Sequence, residues 1–343
     1  MDVLNLLRFL QYHPQSSRKD IAEGTSFEGS DATLKRMLST QVSARNIVVS
    51  GQGKSTRYSL TNTCLVSMPI DMDTYFQYDQ DERQIQSGFN FDLITEILPS
   101  VSLFTNEELQ LLENLHIQFK KNMRDLSPTS YRKEMERLGV DLSWKSSQIE
   151  GNTYSLLETE RLLRESKTAS GKTHAEAVML LNHKYTLRFF LDNKEYLREL
   201  SIHRIEDIQS MLVDSLDTEK GLRRRRVGIT GTNYRPLDNE FQIREAMEDT
   251  CTLINGKQNV FEKALLALLL ISYIQPFTDG NKRTSRLVSN GILLANGYCP
   301  LSFRTVDSID YKKAMLVFYE QNNIVPFKEI FISQYQFAVG EYF

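Results

Sequence analysis

Gln275-Pro276-Phe277-Thr278-Asp279-Gly280-Asn281-Lys282-Arg283-Thr284-Ser285-Arg286 decides how this chain folds and what it can bind. An apolar segment, Ala264 to Ile274, precedes it, and a second, Leu287 to Leu294, follows. Pro276 and the Asp279-Gly280 pair end the first helix and predict a new one from about Asn281 to Asn296. A helix N-terminus presents unpaired N–H groups and the positive end of the macrodipole. This one also carries Lys282, Arg283 and Arg286. Three cations at a positive end repel the dipole and each other unless an anion sits among them, and phosphate is the usual occupant. Asp279 beside them is a hard oxygen ligand of the kind a phosphate-bound Mg²⁺ takes. The plainer alternative is a solvated basic helix start with Asp279 as its cap.

The string resembles the active-site motif of Fic (Fido) proteins, H-P-F-x-D/E-G-N-G/K-R-x-x-R, at Pro276, Phe277, Asp279, Gly280, Asn281, Lys282, Arg283 and Arg286. The resemblance implies transfer of AMP from ATP to a protein Ser, Thr or Tyr hydroxyl. It implies that Asp279 holds Mg²⁺ and that Gly280, Asn281 and Lys282 cradle phosphates. Arg283 and Arg286 would hold the β/γ end, with Asn281 and Arg283 part of the catalytic set. The family's catalytic histidine is replaced by Gln275. An amide has no proton-accepting site near neutral pH, and losing a general base costs about 10²–10⁴-fold. Two readings follow: an AMP-transferring enzyme with an introduced inactivating change, or a natural nucleotide-binding pseudoenzyme serving as a DNA-linked regulator. Lysine at 282 is also found in the phosphate-transferring branch of the family, so phosphotransfer is a third reading.

A second stretch, Ser146-Ser147-Gln148-Ile149-Glu150-Gly151-Asn152, reads as a helix C-terminus with Gly151 just past the end. Ser146 and Glu150 lie four apart on one face. A carboxylate there opposes the dipole unless a cation compensates it. The stretch resembles the Fic inhibitory motif S/T-x-x-x-E-G/N, which makes Ser146, Glu150 and Gly151 the inhibitory residues and implies that Glu150 pairs with Arg286 and displaces the γ-phosphate of ATP. An anion lacking a cation would thus meet a cation cluster lacking an anion.

Outward from these motifs, the 3.6-residue period dominates, and the expected fold class is mainly α: an all-helical Fic core with a short β-hairpin flap, preceded by a small winged-helix (α+β) domain. Residues 1–66 read as a winged helix-turn-helix: helices Val3–Tyr12, Ser17–Ala22 and Asp31–Val42, then a hairpin from Ile47 to Leu60 turning at Gly51–Lys54. These residues hold eight Lys/Arg against five Asp/Glu, a net of +3, leaving −6 on the other 277. Lys35 and Arg36 on the third helix and Lys54 and Arg57 on the wing would face DNA phosphates, or the module docks protein or a second copy of the chain. Residues 67–102 read as a connector, and 103–343 as the Fic domain. Its helices are Thr105–Asn122 with a Thr-x-x-Glu capping box, Tyr131–Glu150 with a break near Gly139, Ser155–Glu165, His174–Asp192, Ile202–Leu216, Phe241–Ile254, Phe261–Ile274, the motif helix, Asp307–Asn322 and Pro326–Val339. The inhibitory helix falls at about 140–151. Between Gly221 and Pro236, Val227 and Ile229 alternate with small residues around glycines, a short-hairpin signal. The family resemblance makes it the flap that aligns a target by strand addition, through Val227, Ile229, Thr230, Gly231 and Tyr234.

The 41% hydrophobic and 25% charged fractions are those of an ordinary globular chain. The longest apolar run, Ala264 to Ile271, is too short to span a bilayer. No signal-peptide pattern opens the chain. Cys64, Cys251 and Cys299 show no C-x-x-C spacing and read as reduced thiols. Together these predict a cytoplasmic protein with no membrane partner. The five scattered histidines carry no zinc spacing and read as structural.

Overall fold

The computed structural model describes residues 2–83 and 85–343. They divide into two compact units, Met1–Ile70 with Gln321–Val325, and Asp71–Glu320 with Pro326–Phe343.

In the first unit each of three helices starts on a side-chain cap. Asp2 accepts from Asn5 N at α1 (Val3–Tyr12), Ser17 and Asp20 form a reciprocal capping box at α2 (Arg18–Gly24), and Ser30 caps α3 (Asp31–Ser43). Strands β1 (Ile47–Ser50) and β2 (Arg57–Leu60) pair antiparallel, Ile47 opposite Leu60 and Ser50 opposite Arg57. Leu6, Leu10, Ile21, Leu34, Leu38, Ile47 and Leu60 form the unit's core. A fourth helix, α4 (Asn62–Ser67), completes the unit. The distant Asn323 returns to it, donating from Nδ2 to Leu65 O and Met68 O, both at 2.6 Å.

The second unit is helical. Short turns α5 (Met72–Tyr75) and α6 (Leu98–Ser100), the latter after one π-helical turn at Leu93–Ile97, lead into α7 (Asn106–Asp125), where Thr105 and Glu108 form the expected capping box. Then follow α8 (Pro128–Ile149), α9 (Leu156–Glu165), α10 (His174–Asp192), α11 (Ile202–Leu212), α12 (Glu240–Gly256), α13 (Val260–Ile274), α14 (Asn281–Ala295), α15 (Ser308–Gln321) and α16 (Val325–Tyr342). Helix α13 is buried all round from Ala264 to Ile274, which is what its unbroken apolar sequence demands. It lies against α14, and α8 and α10 pack beside that pair.

Two expectations are corrected. Helix α8 runs unbroken through Gly139, because the glycine serves close packing: a Cβ there would stand 3.0 Å from Leu187 Cδ2 on α10. The Gly221–Pro236 hairpin does not form. Several of its polar groups find partners outside the segment, and no ladder closes within it. Gly221 N donates to Gln209 Oε1, Arg223 N to Pro276 O and Arg235 N to Ser87 O, while Arg83 Nη2 donates to Gly231 O. Among the described residues the only sheet is the β1–β2 pair. No helix among them is long and apolar enough to cross a membrane.

Candidate active site

The link between α13 and α14 is six residues long and held at both ends by backbone geometry. Gln275 caps α13 in the left-handed region, φ 52, with its N–H on Ile271 O at 3.2 Å. Gly280 precedes α14 at φ 84, a value that favours glycine because a Cβ would be strained there. Asn281 ties the loop shut: its Oδ1 accepts from Phe277 N at 2.8 Å and its Nδ2 donates to Phe277 O at 2.8 Å. Its amide is spent on shaping the loop.

Gln275 is 7% exposed, and its side chain turns inward. Nε2 donates to Ser272 O at 2.6 Å, and Oε1 accepts from Asn281 Nδ2 at 3.1 Å. Its main-chain oxygen accepts from Arg223 Nε at 2.6 Å. Arg223 is fully buried and spends its other nitrogens on Arg225 O and Leu237 O. Sequence reading missed this clamp, because nothing distinguishes Arg223 from the three exposed arginines that follow it.

At the other end of the loop the cations gather. Arg283 donates from Nη2 to Asp279 Oδ2 at 2.9 Å. Arg286 is fully buried and donates from Nε to Ser146 Oγ at 2.8 Å, and from Nη2 to Ser146 O at 3.0 Å and Glu150 Oε1 at 2.7 Å. Lys282 Nζ lies 3.8 Å from Glu150 Oε2. Glu150 itself caps α8, just before Gly151 at φ 97. Burial pushes its carboxyl upward, but Arg286, then Lys282 and Arg283, pull harder and hold it below its ordinary value. It is therefore an anion at neutral pH. Two residues outside both motifs complete the surroundings: the Tyr311 ring, its centroid 5.1 Å from the Arg286 guanidinium carbon, and His183, whose Nε2 is 2.9 Å from Ser146 Oγ.

The cluster is not saturated. Arg283 Nη1 and Arg286 Nη1 are both buried without a hydrogen-bond partner. A buried charged donor left unpaired is costly, and an anionic oxygen would relieve both. The residues present thus fit a phosphate chain. Asp279 keeps an exposed carboxylate next to Arg283, with its side chain 60% exposed. One protein carboxylate supplemented by phosphate oxygens is a usual Mg²⁺ arrangement.

The remaining sequence-derived candidates are placed elsewhere. Tyr234 is not at a docking edge: its ring is buried between Tyr273 and Tyr319, at centroid distances of 4.8 and 5.7 Å, and its hydroxyl donates to Tyr273 O. An aromatic in an otherwise small and polar stretch is better satisfied in the core, and the expected docking role is withdrawn. Gly231 has its carbonyl taken by Arg83. Val227 and Ile229 are half-buried, and Thr230 is exposed. In the first unit Lys35, Arg36 and Lys54 are exposed, whereas Arg57 folds back onto Thr56 O at 3.0 Å.

The site is thus a buried helix hairpin whose second N-terminus gathers cations with unspent donors. Residues 199–293 match the model of the Fic/DOC family. It is 26% identical over 226 residues to the protein adenylyltransferase fic-1 of Caenorhabditis elegans, covering 64% of this chain and 44% of that protein. A protein adenylyltransferase Fic of Aedes aegypti is 29% identical over 166 residues, covering 46% and 32%. The chain spans less than half the length of these relatives. Among solved structures, Fic-1 of C. elegans superposes with a TM-score of 0.60 at 23% identity, over 69% of this chain and 72% of that one. A Fic-domain signaling protein from Bacteroides thetaiotaomicron gives 0.56 at 19%, over 67% and 94%. These likenesses show the mainly helical Fic fold.

Proposed function

We propose that this chain is a Fic-type protein adenylyltransferase, moving AMP from ATP to a protein hydroxyl, held at rest by Glu150 against Arg286 and impaired by Gln275 in the place of the catalytic base. The observation that carries the reading is the Glu150–Arg286 pair at 2.7 Å beside two guanidinium nitrogens without partners. Glu150 supplies part of the charge that a γ-phosphate would supply, and a nucleotide must displace it. The adenylyltransferase names of the relatives support AMP as the group moved and protein as the acceptor.

In the working site, Arg286 and Arg283 bind the outer phosphates, Lys282 adds charge, and the N–H groups at the start of α14 face the inner ones. Asp279 would hold Mg²⁺, which supplies charge neutralisation across the phosphates. Val227, Ile229 and Thr230 lie in the segment where a target backbone would dock. The acceptor hydroxyl meets residue 275, where a histidine would take its proton. Gln275 takes none, so transfer is slow. The inward-facing, fully bonded amide of Gln275 favours the nucleotide-binding pseudoenzyme as the second reading. Incubating the Gln275→His chain with α-labelled and γ-labelled ATP separates the readings. Protein-bound α label supports AMP transfer, γ label alone means phosphotransfer, and no label with intact ATP binding means a pseudoenzyme.

Exposed Lys35 and Arg36 on one helix support a DNA contact by the first unit. Salt-dependent DNA binding that survives Lys35→Glu with Arg36→Glu in the full chain would overturn it.

A further inference from the structure

His183 belongs to neither motif, yet it is fully buried at the back of the cation cluster. Its Nδ1 lies 2.9 Å from Met179 O and its Nε2 2.9 Å from Ser146 Oγ. A carbonyl can only accept, so Nδ1 carries the hydrogen. Burial, reinforced by Arg283 and Arg286, lowers the imidazole to about 3 and keeps it neutral, leaving Nε2 as an acceptor. The Ser146 hydroxyl therefore donates to His183. Arg286 Nε, which can only donate, finds the lone pairs of the same oxygen at 2.8 Å. Every hydrogen in this row has one direction, from Arg286 through Ser146 to His183.

We propose that His183 is the positioning residue that fixes Arg286 in its phosphate-facing orientation, acting through Ser146. Glu150 cannot do this in the occupied state, because on the reading above, on which this inference rests, the nucleotide displaces it. Ser146 can, provided its hydroxyl hydrogen is drawn away from the cation. A serine inside a helix otherwise turns that hydrogen to the carbonyl one turn back. The neutral imidazole on α10 supplies the competing acceptor. The anchor of Arg286 is thereby independent of the inhibitory carboxylate, and removing Glu150 frees the cation without loosening it.

The test uses the full chain carrying Glu150→Gly, titrated calorimetrically with Mg²⁺–ATP. Adding His183→Phe or Ser146→Ala should weaken binding about tenfold, the effect of one hydrogen bond to a charged group. His183→Gln, which keeps an acceptor where Nε2 stood, should stay within about threefold. Ser146→Ala leaves the imidazole and the core volume in place, so it carries the test if His183→Phe does not fold. In ¹⁵N–¹H spectra the slowly exchanging Arg286 Nε–H signal should persist in the Gln variant and vanish in the Phe and Ala variants. Unchanged ATP affinity in both Ser146→Ala and His183→Phe, or a surviving Nε–H signal in either, would overturn the proposal. If the Glu150→Gly chain binds no ATP, the nucleotide reading falls, and the Nε–H signal still decides the role of His183.

Discussion

The two ends of the loop between α13 and α14 are finished to different degrees. At the α14 end Arg283 and Arg286 are buried and oriented, and each keeps a nitrogen without a partner. At the α13 end Gln275 has spent both ends of its amide, on Ser272 O and Asn281 Nδ2, and its carbonyl is held by Arg223. One end is charged and waiting; the other is neutral and closed. On the reading proposed above, binding and proton transfer are built separately, so that one can be lost while the other stays whole.

The largest effect should come from reopening the closed end. Gln275→His should raise label transfer from α-³²P-ATP by at least about tenfold, within the usual worth of a general base. Equal labelling of both chains would erase the contrast between the ends.

Next, Arg223→Ala leaves the buried carbonyls of Gln275 and Leu237 without their donor. Each unsatisfied buried group costs about 1–3 kcal/mol, so a clear loss of stability in a urea titration is expected. An unchanged midpoint would mean the α13 end is not clamped. The smallest effect concerns the turn that follows Glu150. Asn152 Nδ2 donates to Glu176 O, and the Glu176 carboxylate accepts from Thr153 and caps α10. The Thr153 hydroxyl first, then the Thr173 and Thr153 amides, lower Glu176 to about 2. A lowered carboxyl stabilises the fold above its unfolded value near 4.3 and loses that contribution as pH falls toward 2. Glu176→Gln should therefore lower stability at pH 7, modestly because solvent screens the group, with the gap closing between about pH 4.3 and 2 in thermal melts. A gap that persists at low pH would contradict the assignment.

The sequence made the helical periods, the capping box at Thr105 and the two motifs legible, because each rests on short-range spacing. Pairing of Glu150 with Arg286 was legible through the resemblance to the Fic inhibitory motif, supported by a misplaced anion and a misplaced cation cluster in one chain. His183 and Arg223 were not, since their roles depend on tertiary neighbours 37 and 52 residues away. The 221–236 segment misled for the same reason. Its alternation fits a hairpin, but partners from Gln209, Ser87, Arg83 and Pro276 outcompeted pairing within the segment. Tyr234, read as a docking residue, was drawn into the stack with Tyr273 and Tyr319.

Calorimetry of Mg²⁺–ATP binding to Glu150→Gly tests the account most directly, because binding needs no general base and Gln275 can stay. A partly buried, charge-assisted pair is worth roughly 1.5–3 kcal/mol, and about 1.4 kcal/mol is tenfold in affinity. The account predicts that ATP binds one to two orders of magnitude more tightly to the variant, with a smaller gain for ADP. Unchanged ATP affinity would mean that Glu150 does not stand in the nucleotide's place.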